Sequence, residues 1–202
     1  WPADVAALTA ATRYTLGSLA ESVADHERAL LYWQGLPAPE SMSHVWEVRL
    51  AALALRAGNA GVAAERARQL ATRSAVPIPA AQLPEWIVLA QQYSDHGLMD
   101  GAQALFERVL PQADAAQARL VLSGLARMQE VRQQPLLAAD YYLRAALIAD
   151  GADAAASEAR LLAGLSLVRA GLREDARTQF QWVLKNARDP AQIAVARREL
   201  GF

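Results

Sequence analysis

The 202-residue chain contains no cysteine and one lysine, Lys185. The missing thiols exclude disulfides, thiolate nucleophiles and Cys-ligated zinc. The missing lysines leave arginine as almost the whole basic complement. With 20 basic and 21 acidic residues, formal net charge is −1. A nucleic-acid binder ordinarily carries a basic excess to neutralise phosphates, and none is present. Aromatics are scarce at 6%, although hydrophobic residues reach 53%. Alanine and leucine therefore carry the apolar content, a mixture that favours helices. No apolar run approaches the length of a membrane span, and no secretory signal opens the chain. The first residue is Trp1, so a processed chain or a piece of a longer protein is expected. The lack of cysteine fits cytoplasm and periplasm equally well.

No stretch alternates β-branched and polar residues, and no strand is expected. Breaks are read at Gly17, Gly35 to Pro39, Gly58, Ala75 to Pro79, Gly97, Pro111, Pro135, Gly151, Gly171 and Pro190. The segments between them have ordinary helix lengths. Three turns align without gaps: "RLAALALRAGNAGVAAERARQLA", "VLAQQYSDHGLMDGAQALFERVL" and "LLAGLSLVRAGLREDARTQFQWVL". Each has a small residue seven positions before a glycine and an alanine five after it. The sets are Ala51-Gly58-Ala63, Ala90-Gly97-Ala102 and Gly164-Gly171-Ala176. Gly97 and Gly171 stand 171 − 97 = 74 positions apart, room for two units of 37. The intervening unit keeps Ala126 in the small slot, but Gln133-Gln134-Pro135 replaces its turn glycine.

This pattern resembles the tetratricopeptide repeat (TPR), a helix–turn–helix of about 34 residues. In residues 85–111, Trp86, Leu89, Ala90, Tyr93, Gly97, Ala102 and Phe106 stand at the family's W, L, G/A, Y, G, A and F/Y positions. A third unit matches through Leu122, Leu125, Ala126, Tyr142 and Ala145. A fourth matches through Gly164, Gly171, Ala176 and Phe180. Four degenerate motifs in tandem carry more weight than any one. The resemblance implies an all-α fold, a right-handed superhelical array of antiparallel helix pairs (a TPR-like α-solenoid) with about 11 helices. The expected organisation is a degenerate helical pair over 1–40 and four units within 44–189 (about 44–76, 83–111, 118–149 and 156–189). A helix over 190–202 either caps the array or starts a further unit. In the first pair only Gly17 and Ala29 fall at family positions.

None of His26, His44 and His96 lies at a metal-ligand spacing. Asp95, His96 and Asp100 sit at a repeat turn. There a histidine complements a helix C-terminus and an aspartate caps the next N-terminus. "REDAR" and "DHER" read as solvated ion pairs on helices. Ser166 follows a glycine by two positions but lies inside an expected helix, away from any strand-to-helix elbow. No catalytic, cofactor or metal site is expected. Trp46, Trp86 and Trp182 are expected in the core between repeats. Trp33, beside Tyr32 near a helix end, is a candidate exposed contact for a partner.

Arrays of this kind bind along the concave face lined by each unit's first helix. Resemblance places Val48, Ala52, Leu55 and Arg56 there, followed by Ile87, Gln91, Ser94 and Asp95. Ser123, Arg127 and Glu130 come next, then Leu161, Leu165, Val168 and Arg169. Apolar patches with isolated arginines and acids suit an amphipathic helix or extended peptide. Any one of these residues has an equal claim to being solvated groove or internal packing. The co-chaperone type of carboxylate clamp is excluded, because its lysine and asparagine positions correspond to Val48/Ala52, Ile87/Gln91, Ser123/Arg127 and Leu161/Leu165. The leading expectation is a non-catalytic scaffold for a protein or peptide partner. It resembles the TPR segments of bacterial envelope-assembly and exopolysaccharide-export proteins, a resemblance that implies bacterial periplasm rather than cytoplasm as its location. A regulatory sensor binding a small ligand or signalling peptide is the alternative; an RNA-binding helical repeat is disfavoured by charge. No nucleic acid partner and no membrane insertion by this segment are expected.

Overall fold

The computed structural model describes residues 1, 4–39, 45–72, 77–148 and 153–201. Among the described residues there are eleven α-helices and no strand: α1 (Ala10–Ser22), α2 (His26–Trp33), α3 (Trp46–Arg56), α4 (Ala60–Thr72), α5 (Leu83–Asp95), α6 (Met99–Val109), α7 (Ala115–Val131), α8 (Pro135–Ala146), α9 (Ala154–Arg169), α10 (Arg173–Asn186) and α11 (Pro190–Leu200). The all-α expectation holds, and the chain has the fold of an α-solenoid built from antiparallel helix pairs. The chain divides into two compact units, Trp1–Arg108 and Val109–Phe202.

Local chemistry starts most of these helices. The side chains of Thr9, Asp25, Asp153 and Asp189 accept hydrogen bonds from the first-turn amides of α1, α2, α9 and α11. Asp114 and Gln117 form a capping box at α7. Pro135 and Pro190 occupy first-turn positions of α8 and α11, where a missing N–H costs nothing.

One turn recurs five times. Seven residues after Gly17, Ala51, Ala90, Ala126 and Gly164, the backbone is left-handed at Ala24, Gly58, Gly97, Gln133 and Gly171, with φ of 59°, 69°, 76°, 58° and 81°. Each turn closes with the same two bonds. At Gly97 they are Gly97 N to Ser94 O (2.9 Å) and Leu98 N to Tyr93 O (2.9 Å). At Gln133 they are Gln133 N to Glu130 O (3.0 Å) and Gln134 N to Gln129 O (2.8 Å). This is the Schellman arrangement, which satisfies the last free carbonyls of a helix. The glutamine turn therefore keeps the geometry of the glycine turns. The break expected at Gly17 is a correction, because α1 runs straight through it. The break at Gly151 and part of that at Ala75 to Pro79 lie outside the described residues, as does His44.

In the first unit, Gly17 has no Cβ because Trp33 fills the space. A Cβ would stand 2.2 Å from the indole nitrogen. Trp33 in turn packs on Trp46 with ring centroids 5.0 Å apart, and the Arg49 guanidinium lies 4.9 Å from the Trp33 ring centroid. Tyr93 links three helices: its hydroxyl donates to Ala63 O (2.7 Å) and lies within reach of Ala51 O (3.3 Å). Burial pushes this phenol well above its ordinary pKa. In the second unit, Gly164 allows the Phe180 ring to lie against α9; a Cβ would stand 2.6 Å from it. Phe180 belongs to a core with Ala176, Val183 and Ala196, on which the half-buried Trp182 packs.

Candidate functional site

Each unit has a hollow between two consecutive first helices. In the first unit it lies between α3 and α5 and measures about 300 Å³. Val48, Arg49, Ala52 and Arg56 line it from α3, with Val45 at that helix's N-cap. Glu85, Val88, Leu89 and Gln92 line it from α5, Val88 being 56% exposed. In the second unit the hollow lies between α7 and α9 and measures about 440 Å³. Ala116, Leu120, Ser123 and Arg127 line it from α7. Ala155, Glu158, Ala159 and Leu162 line it from α9, with Tyr142 and Arg119 completing the wall. Leu120 is 59% exposed.

The two hollows use one register. Val45, Val48 and Ala52 stand six and three positions before, and one after, the small residue Ala51. Leu120, Ser123 and Arg127 stand at those offsets from Ala126. From the opposite helix, Glu85 and Val88 precede Ala90 by five and two. Ala159 and Leu162 precede Gly164 by five and two. These steps of three and four are the spacing of one helix stripe. Each hollow thus joins one edge of a first helix to the opposite edge of the next.

The walls of the second hollow are fixed by polar contacts. Arg119 bonds Asp153 (2.7 Å) and the carbonyls of Ala145 (3.2 Å) and Ile148 (2.7 Å). Asp153 accepts from Ala156 N and from Arg119, which together hold its carboxyl below the ordinary aspartate value. Glu130 accepts from Ser166 Oγ (3.0 Å), Arg169 Nη1 (2.5 Å) and the Tyr142 hydroxyl (3.3 Å), tying α7, α8 and α9 together. Burial, followed by the negative charge of Glu130, pushes the Tyr142 phenol upward. Both tyrosines are therefore neutral hydrogen-bond donors across the physiological range.

Of the groove residues expected from the sequence, Val48, Ala52 and Arg56 line the first hollow, and Ser123 and Arg127 the second. Leu55 and Leu161 are buried. Ile87 and Leu165 are half-buried. Gln91 donates to Asp95 (2.9 Å), and Ser94 Oγ lies 4.0 Å from Met99 Sδ. Glu130 and Arg169 are paired with each other. Val168 borders a separate hollow with Phe180, Arg173 and Leu200. Sequence reasoning missed Val45, Arg49, Glu85, Val88 and Gln92 in one hollow, and Ala116, Arg119, Leu120, Ala155, Glu158 and Leu162 in the other. It applied one set of positions to every first helix. Assigning each helix two edges, one per neighbour, recovers the register above.

The remaining candidates resolve into packing and caps. Trp33 is 1% exposed and donates to Tyr14 O (3.3 Å), so it is a core residue and not an exposed contact. Its burial follows from the missing Cβ at Gly17. His96 ends α5 with Nδ1 2.8 Å from Gln92 O, and Asp100 lies within the first turn of α6. "DHER" gives an Asp25–Arg28 pair at 2.6 Å, and "REDAR" gives Glu174–Arg177 at 3.9 Å. Ser166 lies inside α9. Among the described residues, no cluster of histidine and carboxylates is placed to hold a metal ion, and no helix is long and apolar enough to cross a membrane.

No family model matches the chain, and no curated protein matches it. Among solved structures, the chain is similar to the crystal structure of MamA protein, a TPR-type helical protein. The TM-score is 0.54 at 14% identity, over 88% of this chain and 91% of that one. Likeness at that identity shows the fold: a TPR-like array of helix pairs.

Proposed function

We propose that this chain is a non-catalytic scaffold that holds a partner protein or peptide against the first helices of its repeats. One observation carries the reading. Two hollows that share five repeat offsets in their lining each set an apolar floor beside charged residues, which differ in offset between the two. Val45, Val48 and Val88 supply the floor in the first, with Arg56 and Glu85 at its edge. Leu120, Ala159 and Leu162 do so in the second, with Arg127 and Glu158 at its edge. Each is wide enough for one or two large side chains. An amphipathic helix or extended segment sets an apolar anchor into such a hollow and its polar groups on the rim. Burying one leucine-sized anchor contributes about 1.5–3 kcal/mol.

The same proposal places the scaffold in a bacterial envelope assembly, such as a polysaccharide-export complex, where docking of several proteins is the task. Site-specific photocrosslinking tests it. A benzophenone side chain is introduced at Val88 or Leu162, and at the exposed Asp140 of α8 as control, in cells of the source organism. Discrete adducts with an envelope protein at the two groove positions, absent at the control, support the reading. Equal labelling at all three positions, or adducts with cytoplasmic proteins only, refutes it.

A further inference from the structure

Five ionic residues stand on α3 and α5: Glu47, Arg49, Arg56, Glu85 and Asp95. Three are engaged within the chain. Glu47 is paired with Arg66 (3.0 Å), Arg49 with Glu21, and Asp95 accepts from the Gln91 side chain (2.9 Å). Arg56 and Glu85 remain. Both are exposed, and among the described residues neither side chain has an ion-pair or hydrogen-bond partner.

These two groups line the hollow between α3 and α5 and mark its opposite ends. Consecutive first helices of an array run in the same direction. Glu85 stands five positions before the crossing residue Ala90, and Arg56 five after its equivalent, Ala51. Ten helical residues span about 15 Å along the axis. Val48, Ala52 and Val88 lie between, so the hollow has an acidic end, an apolar floor and a basic end. Helix dipoles explain how both charges stand without a partner. Glu85 is in the first turn of α5 and Arg56 in the last turn of α3, where each is stabilised through space. The carboxylate oxygens and guanidinium N–H groups stay available. The second hollow keeps the same order at other offsets. Glu158 stands six before Gly164 and Arg127 one after Ala126, so acid again precedes base along the helix direction.

Building on the docking reading above, we infer that the first hollow takes a segment of a partner protein in one direction only. An apolar anchor lies on the Val48–Val88 floor, a basic residue over Glu85 and an acidic residue over Arg56. Charge complementarity selects that occupant. A segment of the opposite order would set like charge on like at both ends. A uniformly acidic or basic segment would meet one attraction and one repulsion. Exposed pairs contribute little each, so the anchor supplies the affinity and the two charges supply the direction.

Display selection from a random peptide library, on the whole chain, supplies the probes. Clones are kept when Val88→Asp, a change at an exposed position of the hollow, abolishes their binding. Each retained peptide is then remade with its basic and acidic residues exchanged. Exchange should weaken binding to the wild type about tenfold at low ionic strength, and less as salt rises. On the doubly reversed protein, Arg56→Glu with Glu85→Arg, the exchanged peptide should become the tighter binder. Circular dichroism verifies that both variants fold, and the exchange on wild type needs neither reversal. Retained peptides that lack opposite charges about an apolar residue overturn the inference and leave the docking reading in place. So does an exchange that changes no affinity. Failure to retain any peptide that depends on Val88 overturns both.

Discussion

Gln133 gives the sharpest test of the turn geometry. Its φ of 58° is the left-handed value that Gly58, Gly97 and Gly171 adopt at the same slot. An L-residue there costs about 1–2 kcal/mol, because its Cβ crowds the neighbouring carbonyl oxygen. Glycine avoids that cost but loses about 0.5–1 kcal/mol more chain entropy on folding than alanine. The balance makes Gln133→Gly stabilising by about 0.5–1 kcal/mol, and the reverse change Gly171→Ala destabilising by a similar amount. Packing does not contaminate the comparison, since a Cβ built at Gly58, Gly97 or Gly171 meets nothing within 4 Å. Gly164→Ala is the contrast. Its backbone is helical, so alanine's higher propensity should help by about 1 kcal/mol. Yet the new Cβ would stand 2.6 Å from Phe180, itself buried, and overpacking costs about 1–3 kcal/mol. Urea denaturation followed by circular dichroism measures all three. If Gln133→Gly destabilises the protein, or if Gly171→Ala is neutral, the strain argument fails.

Tyr93→Phe removes a donor to Ala63 O and Ala51 O and should cost about 1 kcal/mol, read from the same denaturation curves. Glu130→Ala leaves the buried Ser166 hydroxyl and the Tyr142 phenol without their acceptor, at about 2 kcal/mol. Adding Ser166→Ala should cost less than it does alone, and strict additivity would remove the claim that the three form a network. Tyr93 and Tyr142 have raised pKa values, so the folded state retains protons that the unfolded chain releases. Their stabilisation is complete below the ordinary tyrosine value of 10.0 and is lost as pH rises beyond it. Ultraviolet titration compared with the Tyr93→Phe and Tyr142→Phe variants should show these two phenols ionising only as the helical signal collapses; their ionisation ahead of any loss of helicity would contradict this. Asp153 has the opposite sign. Its carboxyl is depressed by the Ala156 amide and then by Arg119, so its contribution is present above 3.8 and disappears as pH falls. Asp153→Asn should accordingly lose less helicity than wild type across that acid range.

The fold class was legible because three glycine turns share their offsets with buried alanines. A glycine seven residues after a small residue reports both the helix end and the helix crossing. The other two turns were not legible by that route. At Ala24 and Gln133 the left-handed conformation is imposed by the two closing hydrogen bonds and by packing on either side, and the side chain carries no sign of it. Gly17 misled for the converse reason. A glycine was read as a break, but here its purpose is the absent Cβ, and that became visible only when Trp33 was seen lying on it. The same pair explains why Trp33 is buried despite its place near a helix end.

The hollows show a related limit. Period 3.6 assigns residues to a helix face, but a first helix within an array has a neighbour on each side and so presents two edges. Which edge a residue serves depends on its offset from the small crossing residue, because that residue sets the rotation of the helix against its partner. Val48 and Ser123 stand three before theirs and serve one edge; Val88 and Leu162 stand two before theirs and serve the other. A shift of one residue turns a helix by about 100°, enough to pass from one edge to the other.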